Sequence, residues 1–317
     1  MRVLVTGAGG FAGRHMARMA ADEGADVVGV GRTEPAEHSA VAEFLTADLT
    51  DAGAAERAVR EAQPDRVFHL AALAHVGLSW RDPRVTLDAN FRSAVNLLEA
   101  VREHAPSARV LVAGSGEQYG PPQQLPVSED APFRPRNPYA ASKCAADLVA
   151  GFYADARGLH VVRTRSFNHA GPGQHERYVV SGFAQQIAAA EAEGRDSVEV
   201  RTGDRRPRRD FTDVRDVVRA YWLLLDRAPA GAYNVCSGRT LSVADILAGL
   251  ARLSDLPVEG TTDPALLRDN EVMEISGSHD RLTDATGWRP EVPIERTLAD
   301  TLGWWRAVLA RAPEVAK

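Results

Sequence analysis

Short apolar runs alternate with longer amphipathic segments through the first half of the chain. The runs are nearly continuous and rich in β-branched residues, which is typical of parallel strands covered on both faces. They read RVLVTG, ADVVGVG, AEFLTADL, DRVFHLAA, ARVLVAGS and HVVRTRSF. The segments between them are long enough for helices. The pattern therefore predicts an α/β fold with a doubly wound parallel sheet, whose ligands bind beyond the carboxyl ends of the strands.

This alternation of apolar runs and amphipathic segments ends at about Asn168. Longer loops, short helices such as SVADILAGLARL, and segments punctuated by proline or glycine follow. We predict one domain over residues 1–167 and a smaller C-terminal α/β domain over residues 168–317. The segments RDFTDVRDVVRAYWLLLDRA and AYNVCSG are predicted to return to the first domain, around residues 211–236.

Composition narrows the class of protein. The chain has 317 residues, 44% of them hydrophobic, and a net charge of −6. Because nucleic acid is also negatively charged, this net charge argues against a protein that binds nucleic acid through its overall charge. No apolar run is long enough to span a membrane, and MRVLVTG lacks a signal pattern. Two cysteines, Cys144 and Cys236, are too few for a disulfide framework, so we expect a cytoplasmic protein.

Two further observations bear on ligands. The basic cluster RTGDRRPRRD, residues Arg201 to Asp210, is either a solvated loop or a local site for phosphate. The nine histidines and two cysteines lack the spacing of metal ligands, so we predict no metal site.

The first strand leads into a glycine-rich turn. Gly7, Gly10 and Gly13 are three residues apart, and a helix ending at Gly24 follows. Such a loop turns tightly and presents bare backbone N–H groups to a pyrophosphate at the helix N-terminus. The context predicts a Rossmann-type dinucleotide-binding domain.

The end of the second strand indicates which dinucleotide is bound. Sites that prefer NAD usually end this strand with an acid that holds the ribose 2′-hydroxyl. This chain has Gly31 and Arg32 there, which favours NADP, with NAD as the alternative. Asp48, after the third strand, either meets the adenine ring or caps a turn.

Tyr139 and Lys143 lie four residues apart in a predicted helix with Pro138 in its first turn and Gly158 as its stop. They therefore share one helix face. A lysine ammonium beside a phenol lowers the phenol's pKa, and it can also bind the cofactor ribose. Together with the glycine loop and Ser115 at a strand end, the pair forms a candidate catalytic constellation that chance explains poorly.

Eight motifs occur along the chain: TGAGGFAG, HLAALAHV, GSGEQYG, PYAASK, FNHAGPGQ, RRDFTDVRD, YNVCSG and GWRPEVPIERTL. With these motifs the sequence resembles the extended short-chain dehydrogenase/reductases, the NAD-dependent epimerase/dehydratase family that acts on nucleotide sugars. Within that family the motifs are most similar to reductases of GDP-4-keto-6-deoxy-mannose. The resemblance implies a nucleotide-sugar substrate and assigns the smaller domain to substrate binding.

The resemblance also implies roles for individual residues. Tyr139 exchanges the proton, Ser115 polarises the sugar oxygen, and Lys143 tunes Tyr139. The implied cofactor-binding residues are Gly7, Gly10, Phe11, Ala12, Gly13, Arg32, Asp48, Leu49, Leu70, Ala71, Ala72, Tyr139 and Lys143. The implied substrate-binding residues are Asn168, Arg209, Arg268, His75 and Ser79.

Several of these assignments have a structural alternative. Arg268 is followed by aspartate where the family has proline. His75, Ser79 and His169 are equally explained as structural residues. Asn90 matches an asparagine that often begins the family's next helix, where capping alone would explain it. Family members commonly dimerise through the helix after Asn90 and the Tyr139 helix, so we expect a homodimer.

The residues after Ser115 bear on the type of reaction. Dehydratases of dTDP-glucose place Asp and Glu there, whereas this chain has Gly116 and Glu117. Glycine cannot protonate a leaving hydroxyl, but dehydratases of GDP-mannose keep only the glutamate, so Glu117 is a candidate catalytic residue. A cysteine two residues before the motif tyrosine, typical of the 3,5-epimerising reductases, is absent. We predict a 4-ketoreductase, with a GDP-mannose 4,6-dehydratase, a C4-epimerase or a non-enzymatic NADP-sensing regulator as alternatives.

Overall fold

The computed structural model describes residues 1–35, 40–267 and 272–311. Its strands are β1 Arg2–Thr6, β2 Asp26–Gly31, β3 Glu43–Thr46, β4 Arg66–His69, β5 Arg109–Ala113, β6 His160–Ser166, β7 Asn168–Ala170, β8 Val198–Thr202, β9 Arg208–Asp213, β10 Gly231–Val235, β11 Thr240–Ser242, β12 Val258–Thr262 and β13 Glu274–Ile275. Its helices are α1 Phe11–Asp22, α2 Ala52–Ala62, α3 Val76–Arg81, α4 Pro83–His104, α5 Pro138–Arg157, α6 Val179–Ala192, α7 Val214–Arg227, α8 Val243–Ala251, α9 Asp280–Thr286 and α10 Ile294–Arg311, with 3₁₀ turns at Gly116–Tyr119 and Pro264–Leu266.

The chain divides into two compact units, each made of three chain segments. Unit 1 comprises residues 1–167, 217–235 and 277–289. Unit 2 comprises residues 168–216, 236–276 and 290–317.

Unit 1 is built on a seven-stranded sheet in the order β10-β6-β5-β4-β1-β2-β3. Every neighbouring pair in it is parallel. Two hydrophobic clusters pack in this unit, one including residues of α1 and α7 and the other residues of α2, α4 and α5. The predicted doubly wound parallel sheet is confirmed, and all six apolar runs form its strands.

The strand order reverses beside β1, because β2 and β3 lie on one side of β1 and β4 lies on the other. Parallel strands end at the same edge of a sheet. The loops after β1, β2, β4 and β5 therefore lie along one edge, where doubly wound folds bind ligands.

Unit 2 contains a four-stranded sheet, in which β9 pairs with β7, β11 and β13, and the β8-β12 pair. Its core is built around α6, α8 and α10, with Phe183, Ile187, Ile246 and Leu302 among the buried side chains.

The predicted division of the chain is wrong at two segments. Residues 211–213 belong to β9 and pair within unit 2, so the return to unit 1 covers 217–235. Residues 277–289, assigned to the second domain by the sequence, lie in unit 1. Leu282 and Trp288 explain this placement, because both are almost completely buried in a core cluster of unit 1.

Candidate active site

Gly7 and Gly13, on either side of the turn after β1, have no room for a side chain. Gly7 has a φ of +69°, and a Cβ there would lie 2.9 Å from the Ala71 backbone. A Cβ on Gly13 would lie 2.0 Å from the Gly7 carbonyl oxygen. Gly10 begins α1 without a side-chain cap. The loop is therefore a cradle of backbone at a helix N-terminus, which fits a dinucleotide pyrophosphate.

Several other predicted cofactor residues of unit 1 lie beside this loop. Phe11 and Ala12 form the first turn of α1. Leu70, Ala71 and Ala72 follow β4, and the Ala71 N–H donates to the Thr6 hydroxyl at 3.2 Å. Leu49 differs, since its side chain belongs to a hydrophobic core cluster and is 5% exposed. Packing alone accounts for the Leu49 side chain.

The residues that bear on cofactor choice lie after β2 and β3. A Cβ on Gly31 would come within 3.1 Å of the Phe44 ring, so a side chain fits poorly there. Arg32 is exposed. The Asp48 carboxylate accepts hydrogen bonds from the Thr50 N–H and hydroxyl, and these bonds, with a smaller contribution from the Arg32 charge, lower its pKa. Asp48 thus caps a turn, as one of the two interpretations predicts.

Ser115 follows β5 and is 8% exposed. Its Oγ accepts a hydrogen bond from the Glu117 N–H at 3.2 Å, which leaves the hydroxyl proton to be donated elsewhere. Its own N–H donates to Gln118 Oε1 at 2.7 Å. The serine therefore has a defined orientation at the open edge of the sheet.

Tyr139 and Lys143 lie one turn apart on α5, both less than 10% exposed. The helix has the predicted ends, with Pro138 in its first turn and Gly158 in the left-handed conformation as its C-cap. The Lys143 ammonium donates to the Ala113 carbonyl at 2.7 Å, which ties α5 to the end of β5. Burial lowers the pKa of Lys143 to about 8.

Glu117 lies in the 3₁₀ turn after Ser115 and is half-buried. One of its carboxylate oxygens accepts a hydrogen bond from the Asn137 side chain at 3.1 Å. Asn137 is also the N-cap of α5, since its Oδ1 accepts from the Ala140 N–H at 2.7 Å. Glu117 is thus joined to the start of the helix that carries Tyr139.

The other polar candidates of unit 1 make local contacts. His75 caps α3, with its Nδ1 accepting from the Leu78 N–H. Ser79 is fully buried, and its hydroxyl donates to the Val76 carbonyl, which fits the structural interpretation.

The expectation that Asn90 begins a helix is wrong. The N-cap of α4 is Asp82, and Asn90 lies inside the helix, where it is 3% exposed. Its amide bonds the N–H and carbonyl of Leu73 and the Ser142 hydroxyl. Asn90 therefore joins the loop after β4 to α5.

Unit 2 holds the remaining predicted substrate residues. Asn168 is exposed at the start of β7, and its neighbour His169 is half-buried. Arg209 lies on β9 and donates to the Arg208 carbonyl. Arg268 lies outside the described residues.

Several arginines of the basic cluster have acidic partners. Arg206 pairs with Asp204 at 2.7 Å. Arg208 lies 3.6 Å from both Asp245 and Glu274. These cations are partly neutralised within the unit, so the cluster is less basic than its sequence indicates.

Sequence reasoning missed a buried polar group beside Ser115. It consists of Gln118, Asp147 and Arg165, all less than 10% exposed. No short sequence motif contains these three residues, because they come from the 3₁₀ turn, α5 and β6. The available signal was the presence of polar residues at positions where the helical and strand periodicity predicts burial.

No helix within residues 1–35, 40–267 and 272–311 is long and apolar enough to cross a membrane. Within the same ranges, no group of three or more His, Cys, Asp or Glu side chains is arranged to hold a metal ion.

Comparison with known proteins identifies the family. The sequence profile of the family described as GDP-mannose 4,6 dehydratase matches residues 4–301. A GDP-6-deoxy-D-mannose reductase of Pseudomonas aeruginosa is 39% identical over 247 residues, covering 77% of this chain and 81% of the relative. GDP-mannose 4,6 dehydratase 1 of Arabidopsis thaliana is 31% identical over 324 residues, covering 92% and 86%.

A solved structure agrees with these relatives. The structure of RMD from Pseudomonas aeruginosa complexed with NADPH superposes with a TM-score of 0.85 at 33% identity, covering 97% of this chain and 100% of that one. The resemblance predicted from the motifs is confirmed. The chain therefore belongs to the GDP-mannose 4,6 dehydratase family of nucleotide-sugar enzymes.

Proposed function

We propose that this protein reduces the C4 keto group of a nucleotide-linked 4-keto-6-deoxy sugar with NADP(H), and that its substrate is GDP-4-keto-6-deoxy-mannose. The environment of Gly116 favours this reaction over a dehydration that uses an Asp–Glu pair. A Cβ at this position would lie 3.1 Å from the ring of Phe167, which is 4% exposed. A second acid beside Glu117 therefore has no room unless Phe167 moves. Ketone reduction needs one proton donor and no additional acid.

The side chains of unit 1 suit this reaction. NADP(H), when bound, would supply the hydride. Tyr139 donates the proton to the C4 oxygen, and the Ser115 hydroxyl donates a hydrogen bond to the same oxygen as its negative charge develops. The Lys143 ammonium stabilises the phenolate that Tyr139 becomes.

We assign cofactor binding to the glycine cradle and to Arg32. The N–H groups of the loop and of the first turn of α1 would hold the pyrophosphate. Arg32 would pair with the 2′-phosphate of NADP, because Gly31 offers no acid to a 2′-hydroxyl. The solved relative complexed with NADPH supports this choice, and NAD is the alternative.

We assign substrate contacts to several polar side chains. Asn168 would contact the substrate, and Arg209 with Arg268 would hold its diphosphate, since guanidinium groups bind phosphate oxygens in pairs. His75 is a further candidate for the sugar. The 39% identity to the Pseudomonas aeruginosa reductase supports GDP-4-keto-6-deoxy-mannose.

A GDP-mannose 4,6-dehydratase is the second candidate. The hydrogen bond from Asn137 to Glu117 favours it, because it holds a carboxylate two residues from Ser115. Such an enzyme needs a base to remove the C5 proton, and Glu117 is the side chain that would serve. The match to the dehydratase family profile supports this alternative equally.

The test is to assay the purified protein with NADPH and GDP-4-keto-6-deoxy-mannose, and separately with GDP-mannose. We expect loss of NADPH absorbance with the keto sugar and no loss of water from GDP-mannose. Dehydration of GDP-mannose without reduction of the keto sugar would overturn the proposal.

Two substitutions refine the assay. Tyr139→Phe should lower turnover at least about 100-fold while cofactor binding is retained. Glu117→Gln should leave a reductase within about 3-fold of wild type, whereas loss of a general base costs a dehydratase on the order of 100-fold or more.

We further propose that the protein is a cytoplasmic homodimer. Two matched apolar pairs are exposed on neighbouring helices of unit 1, Leu87 with Phe91 on α4 and Leu148 with Phe152 on α5. Each pair is spaced four residues apart, so each forms a stripe on one helix face. A second copy of this chain would cover such surface. Neither Cys144 nor Cys236 forms a disulfide in the described structure, as a reducing compartment allows.

A further inference from the structure

Gln118 contacts Ser115 from inside the fold. It lies in the 3₁₀ turn Gly116–Tyr119 and is completely buried. Its Oε1 accepts the Ser115 N–H at 2.7 Å, and its own N–H donates to the Ser115 carbonyl at 3.1 Å. Two hydrogen bonds thus join Gln118 to the backbone of the residue whose hydroxyl faces the proposed reaction.

The other end of the Gln118 amide is bound to α5. Its Nε2 donates to Asp147 Oδ2 at 3.3 Å. Asp147 is 3% exposed and also accepts from Arg165 Nε of β6 at 3.0 Å. The Arg165 guanidinium is fixed in turn by the Glu129 carbonyl at 2.7 Å and by the Phe133 ring, 4.5 Å away.

The contact between Gln118 and Asp147 matters because of where Asp147 lies on α5. Tyr139, Lys143 and Asp147 follow one another at four-residue intervals, so all three lie on one face of the helix. The Gln118 amide therefore connects the backbone of Ser115 to the helix that carries the other two members of the proposed catalytic group.

Gly114 provides the space that this arrangement needs. A Cβ there would lie 2.4 Å from Gln118 Oε1 and 2.4 Å from the Thr164 carbonyl oxygen. The Gln118 side chain therefore passes directly over Gly114. Its position requires glycine at residue 114.

We propose that Gln118 is a positioning residue, which sets the distance between the Ser115 hydroxyl and the Tyr139 phenol by holding Ser115 against α5. A buried amide can do this because it accepts from the serine and donates to Asp147 at once, and neither bond competes with water. The inference rests on the proposed function only where turnover is measured.

The test uses Gln118→Met, which keeps the side-chain length and removes both hydrogen bonds of the amide. Without its acceptor, the Ser115 N–H should exchange with deuterium at least about 10-fold faster, while the amides of Val110 and Leu111 in β5 keep their protection. This measurement needs no substrate. Unchanged exchange at Ser115 would overturn the proposal.

Kinetics supply the second readout. Gln118→Met should lower kcat about 10-fold and leave KM for both substrates within about 2-fold. In a protein that already carries Ser115→Ala, Gln118→Met should lower kcat by less than about 2-fold. The reason is that Gln118 acts through the Ser115 hydroxyl, which this protein lacks. Full additivity of the two losses contradicts the inference.

The controls separate positioning from folding and from the proposed function. Gln124→Met makes the same change at an exposed loop position and should alter neither readout. Should Gln118→Met fail to fold, Gln118→Leu, which also has neither the acceptor nor the donor and adds no charge beside Asp147, must show the same non-additivity with Ser115→Ala. A wild-type protein that reduces no keto sugar would refute the proposed function, and exchange at Ser115 would then decide the role of Gln118.

Discussion

At the scale of single residues, burial lowers the pKa of the Lys143 ammonium. This ammonium has one carbonyl partner, that of Ala113, and lies in a largely dehydrated site. Burial disfavours the charged form of an amine and lowers its pKa. The burial of this lysine therefore has a cost in stability, which is common at functional sites.

The pH dependence of stability should reveal this cost. Since the pKa of Lys143 falls from 10.5 to about 8 on folding, the unfolded chain binds more protons between those values. The free energy of unfolding contributed by Lys143 therefore rises with pH across that window, by on the order of 3 kcal/mol in total. Lys143→Met should lose this rise and be more stable than wild type at pH 7 in urea unfolding. An identical pH dependence in the two proteins would contradict the prediction.

Arg32 is the residue on which cofactor choice depends in our proposal. Arg32→Ala should raise KM for NADPH about 10-fold, because one charge-assisted contact to the 2′-phosphate is lost, and leave KM for NADH unchanged. Arg18→Ala, an exposed arginine of α1 that pairs with Asp22, is the matched control. Steady-state kinetics with both cofactors test the prediction, and equal changes in both KM values would count against it.

At the scale of elements, helix α5 connects the residues of the candidate active site. Its N-cap Asn137 binds Glu117, its first turns carry Tyr139 and Lys143, and Asp147 accepts from Gln118. The sequence predicted this helix and both of its ends correctly. It did not predict that Asn137 contacts Glu117 or that Asp147 contacts Gln118, because these partners lie 20 and 29 residues away along the chain.

Asn137 makes the cap of α5 testable. Asn137→Ala should lower the free energy of unfolding by about 1 kcal/mol, whereas Asn137→Ser, which keeps an oxygen for the Ala140 N–H, should lose only a few tenths, roughly. Asp51→Ala, at the N-cap of α2, should cost about as much as Asn137→Ala, since its carboxylate holds the Ala54 N–H in the same way. Urea unfolding measures all three. Equal losses for Asn137→Ala and Asn137→Ser would show that the cap is not what stabilises this end.

At the scale of the whole molecule, the two units are assembled from interleaved segments. Unit 1 is completed by residues 217–235, which supply β10 and most of α7, and by residues 277–289, which supply α9. The sequence indicated the first return through its apolar pattern. The second was not predictable, because Leu282 and Trp288 stand in a short segment with no periodicity to connect it to a distant core.

The proposed homodimer is a prediction at this same scale. Leu148→Glu combined with Phe152→Glu should convert it to a monomer, because charges would replace side chains that are 63% and 46% exposed in the single chain. Light scattering coupled to size-exclusion chromatography measures the mass. Leu125→Glu, at a loop leucine that is 43% exposed, should leave the mass unchanged. A monomeric wild-type protein would refute the prediction.

The sequence by itself determined what depends on near neighbours in the chain. The six strands, the glycine turn and the shared face of Tyr139 and Lys143 follow from spacing and side-chain type within a few residues. Only the tertiary structure decided what depends on packing between distant segments. It assigned Gln118 to Ser115 and Asp147, filled the space beside Gly116 with Phe167, and lowered the pKa of Lys143. Burial and hydrogen-bond partners are properties of the packed molecule, so no local pattern specifies them.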